Sequence, residues 1–293
     1  KSSAASDVYK RQVDMGEKDM SEKILEDYND VFSDIVNVLL FHGQELIEPS
    51  ALESISVHSQ YKGEDAKLHE QERDVAKKWK RYNVQLAIIG IENQTAVEKK
   101  MPFRLIGYDG ASYKSQLQAN AASIAPVVTI VLYFGEKHWC KERNIKSLMN
   151  IPKELDPYVN DYKMEVFEIA WLTDEQLEMF KSDFKVVARF FVNKRRDPDY
   201  VADDPTEIQH VDEVLKLLSV MTGDRDYENV ICDEMKGQVK SMCDVAERLK
   251  NMGRQEERIN AVKFAISLGA SEEKILTQYS KEEYEKALAL MKA

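Results

Sequence analysis

The chain predicts a layered α/β core followed by an all-α tail, and three observations carry that prediction. Between Ser21 and Ile169, segments with helical spacing of apolar residues alternate with β-branched apolar runs. After Trp171 the strand-like runs stop and only helix-periodic stretches follow. A hydrophobic content of 43%, with only 11 Gly and 7 Pro in 293 residues, is enough for a sizeable core with few long loops.

The first helix is expected over Ser21 to Phe41, where Ile24, Leu25, Tyr28, Val31, Phe32, Ile35, Val36, Leu39 and Leu40 recur at intervals of three and four. Gly43 ends it. The polar stretch from His58 to Glu72 reads as turns around one short helix or strand near Leu52 to Val57. Arg73 to Trp79 and Val84 to Gln94 are spaced as the two arms of a β-hairpin, the second apolar enough to be buried. A second helix is expected over residues 103–122, with Pro102 near its start. Pro126 to Phe134 is apolar and β-branched throughout, a central strand, and another strand falls near Met164 to Ile169. Capping boxes at Thr173 to Gln176 and Ser280 to Glu283 mark helices in the tail. Within 231–266, the positions from Ile231 through Met242, Val245, Leu249 and Ile259 to Ile266 are spaced as a coiled-coil seam, interrupted by Gly237 and Gly253. That leaves open a helical hairpin, a homodimer contact through the C-terminal helices, or a long coil. The expected organisation is a leader over 1–20 outside the fold, a core over 21–172 and a helical region over 173–293.

Lys and Arg number 41 against 52 Asp and Glu, a formal charge of -11 that repels polyanions unless local basic patches or a metal intervene. Three cysteines without a C-x-x-C pair support neither a disulfide framework nor a zinc ribbon, and a reducing cytoplasm is the expected location. The longest apolar run, Ala125 to Gly135, falls short of the roughly 20 residues a membrane helix needs. The five histidines show no H-E-x-x-H spacing, which argues against a zinc site.

Strand alternation puts Glu92 and Gln94 on one face, at the far end of an apolar strand. If Asp74 leads the neighbouring strand, two carboxylates and a carboxamide converge at one end of the hairpin. Hard oxygens so placed suit Mg²⁺, with Mn²⁺ able to substitute, and phosphodiester hydrolysis is the chemistry such an ion supports. The alternative from pattern alone is that these side chains simply leave the core at a strand end.

Phe32-Ser33-Asp34-Ile35-Val36-Asn37, Arg73-Asp74, Gly90-Ile91-Glu92-Asn93-Gln94-Thr95, Met101-Pro102-Phe103-Arg104, Tyr108-Asp109 and Tyr113-Lys114-Ser115-Gln116 follow one another in this order. Over about residues 28–170 the chain resembles the Rpn family of recombination-promoting nucleases, within the PD-(D/E)XK superfamily. The resemblance implies a restriction-endonuclease-like mixed sheet flanked by helices, and a Mg²⁺-dependent DNA endonuclease with Asp74 and Glu92 as the metal acids. Gln94 stands where most of the superfamily has lysine. It can hydrogen-bond a water but adds no positive charge. The acid that such folds often place on the first helix is Asp30 or Asp34, with Asp34 preferred beside Asn37. The resemblance also turns an Arg and a Gln of the following helix toward the site, here Arg104 and Gln116, and Arg104 has the fork geometry to clamp a phosphate. Lys77, Lys78, Lys80 and Arg81, with Lys99 and Lys100, are expected to flank the site and contact DNA.

Two other readings stand beside this one. Gln94 and the acidic balance favour a catalytically weak or inactive nuclease fold that binds DNA or protein through its helical tail. Cleavage of RNA by the same chemistry is the third.

Overall fold

A computed structural model of the chain describes residues 25–55, 58–62, 68–72, 74–81, 84–230 and 239–292. The expected leader, Cys232 and the first residues of the proposed coiled-coil seam lie outside them. The chain divides into two compact units, one of residues 1–200 and 208–225, the other of 201–207 and 226–293. Three of the helices that follow Trp171 are therefore counted with the sheet rather than with the tail.

The first unit is built on a mixed five-stranded sheet of β1 (Leu52–Ser54), β4 (Val75–Arg81), β5 (Val84–Gln94), β6 (Val127–Tyr133) and β7 (Glu165–Glu168), in the order β1-β4-β5-β6-β7. The first three pair antiparallel, and β6 and β7 add on parallel to β5. This is the layered α/β core that the residue pattern predicts, in the restriction-endonuclease-like form, flanked by helices, that the family resemblance implies. A separate antiparallel pair, β2 (His58–Lys62) and β3 (Leu68–Glu72), occupies the polar stretch read above as turns. Its residues carry almost no apolar alternation, so nothing in the pattern marks them as strands.

Central position explains the composition of β5 and β6. Ala87 to Ile91 and Ile130 to Tyr133 are buried without a break, because both faces of these strands are covered. Helix α1 (Asn29–Leu39) covers one face with Phe32, Ile35 and Val36 fully buried. It ends in a left-handed turn at His42 and Gly43, where Gly43 has φ 83° and its N–H reaches back to Asn37 O at 2.9 Å. Asn37 is buried and latches the returning chain, donating to Ile47 O at 2.9 Å and accepting from the Ile47 N–H at 3.0 Å. Helix α2 (Met101–Gln118) covers the other face, packing Met101, Leu105 and Tyr108 on Val131, Tyr133 and Val166.

Helices α3 (Asp174–Met179), α4 (Phe184–Arg196) and α5 (Val211–Thr222) complete this unit. The capping box read at Thr173 and Gln176 starts α3. Arg195 and Arg196 are held by local partners: Arg195 lies 3.9 Å over the Trp171 ring and Arg196 bridges to Asp174 at 2.9 Å. In the second unit, α6 (Asp226–Asn229) precedes a long helix α7 (Met242–Ser267), which packs with α8 (Glu272–Ile275) and α9 (Lys281–Lys292) around Ile259, Val262, Ile275 and Ala287. Part of the seam is thus spent on a helical hairpin within the unit. No helix among the described residues is long and apolar enough to cross a membrane.

Candidate active site

The site lies where β4 begins and β5 ends. Val75 pairs with Ile91, so the next position outward sets Asp74 opposite Glu92. Glu92 also sits beside Val131 in the parallel ladder with β6, and Val131 belongs to the cluster under α2. Asp74 and Glu92 therefore share the α2 face of the sheet, and Gln94, two residues beyond Glu92, falls on the same face. Asp74 is anchored by its Oδ2, which accepts the backbone N–H of Asn93 at 2.7 Å.

Glu92 is 1% exposed, and a carboxylate so far from water needs a positive partner. Arg104, one turn into α2, supplies it through a short ion pair from Nη2 to Glu92 Oε1. The same Nη2 donates to the Tyr108 hydroxyl at 3.1 Å. Partial burial works against the charge on Arg104, but Glu92, Tyr108 and Asp74 outweigh it and hold the guanidinium's pKa above its ordinary range. Burial, with the Glu92 charge beside it, pushes the Tyr108 phenol up to about 12, so Tyr108 is a neutral hydrogen-bonding group here. Asp74, Glu92, Arg104 and Tyr108 form one electrostatic unit. Tyr108 was not singled out for this role by the sequence, although its place four residues after Arg104 puts it on the same helical face.

Other expected site residues lie elsewhere. Asp34 does not approach Glu92: its Oδ2 accepts the backbone N–H groups of Lys181 and Ser182 at 2.8 and 2.7 Å, tying α1 to the turn before α4. The acid that α1's side of the sheet brings to the end of β5 is Glu26, fully buried, with Oε2 accepting from Asn93 Nδ2 at 2.5 Å. Asn93 Oδ1 finds no hydrogen-bond partner among the described residues. Glu26 falls one turn ahead of Asp30 in the helical periodicity, the only signal that could have marked it. Gln116 does not face the site. It clamps Ala125, donating to the carbonyl at 3.0 Å and accepting the N–H at 2.8 Å. Tyr113 Oη likewise accepts the Val127 N–H at 3.0 Å.

Lys77 is the largest correction. It is wholly buried on the α1 face, where Nζ donates to Asp27 O, Asp27 Oδ1 and Ser54 Oγ at 2.6, 2.8 and 2.9 Å, so it is closed to DNA. Lys78 is half-buried on the Asp74 face, but it pairs with Ile88, about 13 Å along the strand from Asp74 at the usual rise per residue. Lys80 and Arg81 lie at the hairpin turn, at the opposite end of β4 from the site, and Lys80 bridges to Glu53 at 2.5 Å. Lys99 and Lys100 are exposed just ahead of α2, close in sequence to Arg104.

The described residues hold no group of three or more His, Cys, Asp or Glu side chains able to bind a metal. Two carboxylates facing each other across a strand pair remain a suitable donor set for Mg²⁺, which commonly takes one or two protein carboxylates and fills its shell with water and substrate phosphate. The Arg104 guanidinium on Glu92 stands against that reading, because it already neutralises one of the two acids.

Sheet, flanking helices and paired acids define a nuclease-like fold. Residues 65–217, just over half of the chain, match the family described as "Putative transposase, YhgA-like", and the chain belongs to that family. No curated protein and no solved structure matches it.

Proposed function

We propose that the protein is a Mg²⁺-dependent DNA endonuclease of the recombination-promoting type, acting on recombining or mobile DNA in the cytoplasm. The observation that carries this reading is the facing of Asp74 and Glu92 at the β4/β5 end, on the helix face that also supplies Arg104. Asp74 and Glu92 would hold the ion, Mg²⁺ or Mn²⁺. When bound, the ion activates a water and offsets the negative charge that develops on the phosphate.

This chain's own residues supply the rest. The Asn93 N–H fixes Asp74, so one acid is preset before substrate arrives. Gln94 orients the attacking water through its amide. Lys99 and Lys100, at the mouth of α2, hold the phosphate backbone, with Lys78 further along the same face. Because phosphate contacts dominate and the chain carries -11, binding is weak and falls steeply with salt.

The Arg104–Glu92 pair and Gln94 also favour a second reading, a nuclease-fold scaffold without turnover. Nicking of supercoiled plasmid separates the two. The nuclease reading expects Mg²⁺-dependent nicking that Asp74→Ala and Glu92→Ala each reduce by about a thousandfold or more, with the fold retained by circular dichroism. Absence of nicking in the unaltered protein would support the scaffold, and nicking by both folded variants at the unaltered rate would remove Asp74 and Glu92 from the chemistry.

A further inference from the structure

The ion pair at the site joins two unequal partners: Glu92 is 1% exposed and Arg104 is 40% exposed. Glu92 cannot leave its place in β5, whereas Arg104 projects from the first turns of α2 and reaches water. The nitrogen that meets Glu92 also bonds Tyr108. Lys77, on the other face of the same strand pair, is the opposite case. It donates to three oxygens and has no exposure, so it has nowhere to go.

A divalent ion between Asp74 and Glu92 would share the Glu92 carboxylate with the Arg104 guanidinium. Two cations on one carboxylate repel strongly where water is scarce, so occupancy by either lowers the affinity for the other. We infer that Arg104 is a built-in competitor for the metal: it neutralises Glu92 until a divalent ion enters, and the released guanidinium then takes a phosphate of the bound strand. This rests on the metal reading of Asp74 and Glu92. Its consequence is coupling, because DNA that engages Arg104 clears Glu92 for the ion, and the ion that claims Glu92 frees Arg104 for DNA. A fork of donors suits both partners, since carboxylate and phosphate present similar paired oxygens.

Mn²⁺ binding without DNA, followed by the electron paramagnetic resonance of the free ion, tests this without reference to turnover. Arg104→Gln should bind Mn²⁺ about tenfold more tightly than the unaltered protein, within the usual range of coupling between two sites. Tyr108→Phe, which keeps the guanidinium and removes one of its bonds, should tighten binding by about two- to threefold. An uncleavable phosphorothioate duplex should strengthen Mn²⁺ binding in the unaltered protein, and less in Arg104→Gln. Equal or weaker Mn²⁺ binding by Arg104→Gln, with Glu92→Gln abolishing it, would overturn the competitor and leave the metal site standing. If neither the unaltered protein nor Arg104→Gln binds Mn²⁺, the metal reading fails and the competitor with it. Should Arg104→Gln fail to fold, unchanged or weaker binding by Tyr108→Phe overturns the inference equally.

Discussion

The two faces of the β4/β5 pair each bury one ionic partnership, and they do so in opposite ways. On the α1 face the buried member is the cation, Lys77, satisfied by three oxygens from Asp27 and Ser54. On the α2 face the buried member is the anion, Glu92, satisfied by an arginine with one side in water. A closed cation holds chains together. A closed anion with a movable counter-ion can accept another cation, and this asymmetry separates a structural ion pair from a candidate catalytic one.

Breaking the α1 pair should cost stability and little else. Lys77→Ala removes a buried stem and strands acceptors of Asp27 and Ser54, which should lower unfolding stability in urea by about 3 kcal/mol. The folded fraction should keep its Mn²⁺ affinity. A Lys77 variant that loses Mn²⁺ binding while remaining folded would merge the two faces into one site and end the contrast.

Residues that the sequence turned toward the site but the structure assigns to packing should behave like Lys77, with smaller effects. Gln116→Ala leaves the buried N–H and C=O of Ala125 without their partner, a loss of about 2 kcal/mol in thermal or urea unfolding. Asp34→Ala removes a cap from two backbone N–H groups and should cost about 1 kcal/mol. Neither should alter nicking per folded molecule, and a large loss in either would return that residue to the site.

On the α2 face the smallest change sharpens the picture. Gln94→Lys places a positive charge two residues from Glu92, and plasmid nicking should rise by a few-fold, on the order of what one added charge-stabilising donor can contribute at modest geometry. Unchanged nicking would mean that Gln94 stands apart from the reacting phosphate.

The core was legible wherever burial writes a period into the residues. β5 and β6 announce themselves as unbroken apolar runs because helices cover both their faces. Thr173 and Gln176 announce α3 because a capping box is a local exchange of hydrogen bonds. The Asp74–Glu92 juxtaposition was also readable, since hairpin register follows from two arms and a short turn. Lys77 was misread because it stands in a run of basic residues. The alternation that puts Val75 and Lys77 on one face was the available warning. Asp34 and Glu26 differ only in which partners lie 67 to 148 residues away, which no helical period encodes. The same holds for Arg104: its fork suits a phosphate, and only the fold reveals that a carboxylate holds it first.

The most direct test of the Asp74–Glu92 site is the anomalous scattering of Mn²⁺ in crystals of the protein soaked with that ion. A peak beside the carboxylates of Asp74 and Glu92 is expected, with the Arg104 guanidinium turned away from Glu92. An empty position between the two acids, with Arg104 still seated on Glu92 at Mn²⁺ concentrations that support nicking, would contradict it.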